Sequence, residues 1–241
     1  MTNQKTHNPV LNVPVTILAM MAVFAIIHAV RVYGLDRSTD LDVLLQFSFI
    51  PARYVNQQLI EYSNMALYWS PLTYSVLHAD WTHLFVNSLW LLVFGAVVAR
   101  RFNALYFIIF CVFGSLGGAL AHYVSHPESF VPTIGASAVV SACVGASTRF
   151  AFQAGMGLSP LDDIRPRLSL FETFRNRQTF AFIGIWFLVN YLSGAGFVDV
   201  SGEGGQIAWE AHVGGFLVGL LMFPLFDPIK SSRSNGPGLF R

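Results

Sequence analysis

Two polar side chains in otherwise apolar stretches of the sequence, Ser137 and His212, are of the types that carry out nucleophilic catalysis. A free serine hydroxyl is a weak nucleophile, and an adjacent base must take its proton before it attacks a carbonyl. Strongly polar groups within apolar helices are costly, so each is a functional candidate by default. The pair therefore predicts acyl-transfer chemistry, with Ser137 as the nucleophile and His212 as the general base.

A second polar pair, His83 and Asn87, lies four residues apart, so the two side chains share one face of a helix. Both can donate hydrogen bonds to the oxyanion that forms when a hydroxyl attacks a carbonyl, at about 3–4 kcal/mol per donor. His78 precedes this face and is expected to support the loop above it. Glu210 lies two residues before His212, which is about 200° around a helix, so we expect it to be a packing or interface group.

Ridges of small residues give the helices of Ser137 and His212 a way to meet. One ridge is formed by Ser137, Ser141 and Gly145, and the other by Ala208, Ala211, Gly215 and Gly219. Small residues allow helices in a membrane to approach each other closely. Packing along these ridges would bring the imidazole within reach of the hydroxyl, and Ala208 and Gly215 are therefore expected to support the site.

The composition indicates a membrane protein. Of 241 residues, 54% are hydrophobic and 11% are charged, whereas a soluble domain carries about 25% charged residues. The net charge of +1 gives no basic surface for nucleic acid, so we expect the lipid bilayer and no nucleic acid as a partner. Cys111 and Cys143 lie in apolar runs and are expected to be buried thiols. We expect no cofactor and no metal ligands.

Six apolar segments approach the length of about 20 residues that a spanning helix needs. They are Val13–Val32, Trp81–Ala99, Leu105–Val124, Ile134–Phe152, Phe180–Leu192 and Ile207–Phe226. The first is too long for the apolar region of a signal peptide, and the fifth is the weakest because Asn190 interrupts it. The predicted fold is an all-α membrane protein, a bundle of six transmembrane helices.

Basic residues predict the orientation, because cytoplasmic loops carry an excess of Lys and Arg. With a cytoplasmic N-terminus, ten basic residues lie inside: Lys5, Arg100, Arg101, Arg165, Arg167, Arg175, Arg177, Lys230, Arg233 and Arg241. Only Arg31, Arg37 and Arg53 lie outside. We therefore expect both termini in the cytoplasm, and a bacterial inner membrane because we recognise no targeting peptide.

This topology divides the chain into a cytoplasmic N-terminus (1–12), a membrane domain (13–228) and a cytoplasmic tail (229–241). The charged connection 153–179 is expected to be a cytoplasmic loop. The long outer connection 34–77 suits either a segment in the membrane interface or a loop packed on the bundle. The glycine-rich loop 194–206 is a candidate for a movable cover over the site.

Three motifs carry a resemblance to the rhomboid family of intramembrane serine proteases, from about Leu72 to Phe226. The motifs are His78-x4-His83-x3-Asn87, Gly135-Ala136-Ser137 and Ala211-His212-x-Gly214-Gly215. The resemblance implies a Ser–His dyad with no Asp partner, and an oxyanion site formed by His83, Asn87 and the backbone N–H of Ser137. It also implies transmembrane proteins as substrates, cut in or near their spanning segments. The oligomeric state stays open.

The sequence departs from the family pattern at three places. Ala138 follows the serine where the family usually has glycine. Ser141 stands where an aromatic residue often stacks on the catalytic imidazole, so His212 must be oriented in another way. The first outer loop has Ala52-Arg53 in place of the usual Trp-Arg pair.

Other function classes predict different residues. A metalloprotease would want His-Glu-x-x-His on a helix, and the chain has only Glu210-Ala211-His212. A non-catalytic relative that binds or escorts membrane clients would be expected to lack the serine or the histidine. A transporter would be expected to show broken helices and repeated halves.

Overall fold

The computed structural model describes residues 13–58, 65–153, 164–197 and 208–229. These ranges contain helices and no strand, and their one β-type pairing joins Phe49 to Thr133. The all-α fold class is confirmed. The segment 1–12, most of the loop 194–206, part of the loop 153–179 and the tail from residue 230 lie outside the described residues.

The helices run in a simple order along the chain. They are α1 (Val15–Gly34), α2 (Arg37–Phe47), α3 (Ala66–Thr73), α4 (Trp81–Arg101), α5 (Ala104–Ser125), α6 (Ser137–Ser147), α7 (Leu170–Arg175), α8 (Arg177–Gly194) and α9 (Trp209–Phe226). Among these described helices, α1, α4, α5 and α9 are long and apolar enough to cross a membrane. The four agree with four of the six predicted spans, and the count of six is not confirmed.

The fourth predicted span, Ile134–Phe152, is helical over only 11 residues in α6. The helix begins late because Thr133 exchanges two backbone hydrogen bonds with Phe49, of 3.0 and 2.8 Å. Gly135 then has a φ of 121°, which no helix contains. The helix therefore begins three residues after the approximate start that the sequence predicted, Ile134. The fifth predicted span corresponds to α8, which has 18 residues.

Helix α6 lies at the centre of the bundle, with every residue after Ser137 buried. The ridge of α9 packs directly on its backbone: a Cβ at Gly215 would lie 2.1 Å from the carbonyl oxygen of Ala138. A Cβ at Gly219 would lie 1.9 Å from the carbonyl oxygen of Ala142. The close approach of the two helices is confirmed, and it depends on glycine at both positions. On α6, however, Gly215 and Gly219 contact Ala138 and Ala142, each one residue beyond the predicted ridge positions Ser137 and Ser141.

The connection between α1 and α4 packs on the bundle. This agrees with the second of the two interpretations of residues 34–77, a loop packed on the bundle. The hydroxyl of Tyr74 donates to the carbonyl oxygen of Ser115 in α5 at 2.9 Å, and the hydroxyl of Ser115 donates to Pro71 at 2.9 Å. Arg53 is buried and donates to the carbonyl oxygens of Ser48 and Leu45. A buried arginine thus orders this connection without the usual Trp-Arg pair.

Buried charged side chains stabilise the end of the bundle that lies away from Ser137. Arg101, at the end of α4, forms an ion pair with Asp227 beyond α9 at 2.8 Å, and both side chains are fully buried. Arg149 follows α6 and donates to the carbonyl oxygens of Leu168 and Leu220. These contacts fix α4, α6 and α9 together at the end away from Ser137.

Candidate active site

A cavity of about 980 Å³ opens between α4, α5, α6, α8 and α9. The residues that the sequence singled out for chemistry lie in its wall: Ser137, His212, His83 and Asn87. Ala208 and Ser141 also line it. Five helices therefore bring residues that are up to 129 positions apart in the sequence to one shared, open cavity.

Ser137 is the first residue of α6 and is partly exposed. The residue that precedes the helix is Ala136, which makes no capping hydrogen bond through a side chain. The hydroxyl of Ser137 therefore does not serve as the helix cap. Its backbone N–H belongs to the first turn, where such groups have no partner within the helix.

His212 lies in the first turn of α9, three residues before Gly215. Gly215 packs against Ala138, the residue after Ser137. The first turns of α6 and α9, which carry Ser137 and His212, therefore lie next to each other at the cavity. Among the described residues, no hydrogen bond joins the serine hydroxyl to the imidazole. Catalytic hydrogen bonds are often long before substrate binds and shorten in the complex.

His83 and Asn87 flank the turn that leads into Ser137. A Cβ at Gly135 would lie 2.7 Å from Nε2 of His83 and 3.7 Å from Nδ2 of Asn87. Glycine is therefore required at position 135 for two reasons. Its φ is positive, and a side chain there would collide with the His83 ring. The amide Nδ2 of Asn87 donates to the carbonyl oxygen of His83 at 3.0 Å, which leaves its second proton for a ligand.

His78 lies behind His83 and is fully buried. Its ring packs edge-on against the His83 ring, with the centroids 5.2 Å apart. Its carbonyl oxygen accepts a hydrogen bond of 2.8 Å from Arg31, which also pairs with Asp40 at 2.7 Å. His78 therefore contacts both the His83 ring and Arg31, and its supporting role stays a prediction.

The orientation of His212 comes from Asn190 in α8. The imidazole Nδ1 lies 2.6 Å from Oδ1 of Asn190. The amide Nδ2 of Asn190 donates to the carbonyl oxygen of Trp186 at 2.7 Å, and this bond directs Oδ1 towards the ring. Because an amide oxygen only accepts, Nδ1 carries the proton and Nε2 is left as the proton acceptor.

Asn190 is the site residue that sequence reasoning did not assign. Its only signal was an amide within an apolar helix, which predicted a hydrogen bond across helices without naming the partner. The contact joins residues 22 positions apart in the sequence. Position 141, where the family often has an aromatic residue, is occupied by a buried serine, so Asn190 replaces a stacking contact with a hydrogen bond.

Glu210 does not contact His212 but faces the end of α5. Its carboxylate oxygens lie 3.8 Å from Nδ1 of His122 and 3.8 Å from Nδ1 of His126. All three residues line the rim of the same cavity. The prediction that Glu210 points away from the imidazole agrees with this position.

The fold and the site together define a class of protein. It is a helical membrane protein in which a serine, at the start of a short central helix, and a histidine face the same cavity. A family model described as "Rhomboid domain" matches residues 66–227. This is more than half of the chain, and the chain belongs to the rhomboid family. The matched range includes His83, Asn87, Ser137 and His212. A search of the curated proteins finds no match.

Proposed function

We propose that this rhomboid-family member is an intramembrane serine endopeptidase that cleaves transmembrane substrate proteins with a Ser137–His212 dyad. The observation that carries the proposal is the shared cavity, into which both residues and the two candidate oxyanion donors project. The hydrogen bond between His212 and Asn190 adds to it, because it leaves Nε2 of the imidazole free to accept a proton.

In the proposed reaction, Nε2 of His212 takes the proton of the Ser137 hydroxyl as the oxygen attacks the scissile carbonyl. The oxyanion accepts hydrogen bonds from His83, Asn87 and the backbone N–H of Ser137. The start of α6 adds the positive end of the helix dipole. His212 then protonates the leaving amine, and an acyl-enzyme remains on Ser137. Water activated by His212 hydrolyses the ester and regenerates the hydroxyl.

The chain topology supports a cytoplasmic position for both termini, which we propose with the domain boundaries 1–12, 13–228 and 229–241. Arg101 and Arg149 lie at the end of the bundle opposite Ser137, and basic residues favour the cytoplasmic side. The cavity would then open towards the outer face, where water for hydrolysis is available. A bacterial inner membrane is the location that we propose.

Cleavage in a reconstituted membrane distinguishes this function from client binding without catalysis. Purified protein in liposomes is incubated with a panel of single-span proteins, and the products are identified by mass spectrometry. The proposal expects new termini within or beside the spanning segment of at least one substrate. Capture of these proteins with no cleavage of any would instead support a non-catalytic escort.

Substitution of Asn190 by alanine is expected to lower kcat by about 100-fold, since a misplaced reacting group costs about that factor. KM is expected to stay unchanged, because Asn190 orients the imidazole and does not bind the substrate in the proposed mechanism. Asn190→Asp also presents an oxygen to Nδ1 and is expected to recover most of the rate. Steady-state cleavage kinetics measure both parameters.

The matched control for this prediction is Ser193→Ala, on the same helix and in the wall of the same cavity. It is expected to keep both kcat and KM. Equal activity of Asn190→Ala and the wild type would show that Asn190 does not position the base. Equal losses in the alanine and aspartate variants would mean that the amide acts on the fold.

A further inference from the structure

Three potential metal ligands meet at the rim of the cavity, apart from Ser137 and His212. His122 lies in the last turn of α5 and His126 follows directly after the helix, one turn further on. Glu210 reaches them from the first turn of α9. One ligand atom from each residue lies within 4.8 Å of the other two.

Within the part of the chain that the structure describes, the Nδ1 atom of the buried His122 ring has no hydrogen-bond partner. The side chain is 9% exposed. The nearest oxygen is that of Glu210, at 3.8 Å. A buried nitrogen without a hydrogen bond is costly, so the ring is aimed at a space that a ligand would fill.

We infer that His122, His126 and Glu210 bind a divalent cation of the zinc type. Zinc takes imidazole nitrogen at about 2.0–2.1 Å and carboxylate oxygen at a similar distance, in a tetrahedral arrangement. Ligand atoms around such an ion are about 3.3 Å apart. Here each imidazole Nδ1 lies 3.8 Å from a different oxygen of Glu210, and one ligand atom from each residue lies within 4.8 Å of the other two. Side-chain adjustments would therefore bring the three ligands around one ion, with the fourth position open to the cavity.

The cation would not take part in the proposed peptide hydrolysis, because neither Ser137 nor His212 is a ligand. It would join the end of α5 to the start of α9, the helix that carries the general base. Since a ligand that binds only the folded state stabilises it by mass action, zinc is expected to raise the unfolding temperature. The site therefore goes beyond the proposed function and does not depend on it.

The test is a calorimetric titration of detergent-purified protein, free of a polyhistidine tag, with ZnCl2. We expect one site in the wild type. His126→Ala and Glu210→Gln are each expected to weaken zinc binding by about 100-fold or more, because even loss of a group outside the ligand set costs 10–100-fold. Both ligands lie near the surface, so these variants are expected to fold, and unfolding without zinc checks this.

Glu128→Gln is the matched control, since Glu128 is an exposed carboxylate beyond the same end of α5. It is expected to bind zinc as the wild type does, and MgCl2 is expected not to bind, because Mg²⁺ prefers oxygen ligands. A wild type that binds no zinc, or His126→Ala and Glu210→Gln variants that bind it unchanged, would overturn the inference. Either result leaves the protease proposal standing, because the readout is binding and not cleavage.

Discussion

Substitution of Ser137 by alanine is expected to abolish cleavage of transmembrane substrates, with a loss in kcat of about 10⁴-fold or more. The change removes a single oxygen, the proposed nucleophile, and leaves no other group in its place. The fold is expected to persist, because Ser137 is partly exposed and Ala136 holds the position before the helix. Initial rates in liposomes, with the unfolding temperature measured in parallel, check both expectations.

Ser141→Ala is the control for this substitution. Ser141 lies one turn further along α6, lines the same cavity and is 4% exposed, so the variant loses the same oxygen from a neighbouring position. It is expected to retain activity. His212→Ala should lose as much as Ser137→Ala, and the double variant should lose no more, because members of one catalytic unit are not additive. Cleavage by Ser137→Ala at the wild-type rate would exclude it as the nucleophile.

Substitution of Gly219 by alanine is expected to have the largest effect on stability. The new Cβ would lie 1.9 Å from the carbonyl oxygen of Ala142, and this atom belongs to a buried backbone that cannot rotate away. Overpacking typically costs 1–3 kcal/mol, and we expect about 3 kcal/mol here. The unfolding temperature and the yield of monodisperse protein in detergent report the change.

A glycine-to-alanine substitution at Gly184 is expected to have the opposite effect on stability. This residue lies within α8, and a Cβ there would meet no atom within 4 Å. Gly184→Ala is expected to stabilise the helix by up to about 1 kcal/mol, because alanine is the better helix former. Equal unfolding temperatures for the Gly219→Ala and Gly184→Ala proteins would show that the close packing of α6 on α9 is not needed.

The sequence predicted the close packing of α6 and α9 because this packing depends on small residues at helical spacing. Gly215 and Gly219 repeat at helical spacing beside His212, and the same glycines touch the backbone of α6 in the structure. The four helices that are long and apolar enough to cross a membrane were predicted for a similar reason, since length and hydropathy are local properties. The shared helix face of His83 and Asn87 followed from their four-residue spacing, and their role as oxyanion donors stays a prediction that the family resemblance implies.

Three contacts between distant segments were not predicted. Helix α6 begins at Ser137 because Thr133 pairs with Phe49, a residue 84 positions earlier. No local sequence pattern predicts this pairing. The partner of His212 was left open because Asn190 has no periodic relation to it. The cluster of His122 and His126 with Glu210 was missed in the same way, since only the tertiary fold joins the end of α5 to the start of α9.

The most direct test of the dyad is labelling with a fluorophosphonate probe, followed by mass-spectrometric mapping of the adduct. The probe reacts with a serine whose proton is taken by an adjacent base, so it reports activation without knowledge of the substrate. We predict that the wild type is modified at Ser137, and that Ser137→Ala and His212→Ala are not labelled, while Ser141→Ala is. An adduct on any other residue, or labelling that survives in Ser137→Ala, would contradict the account.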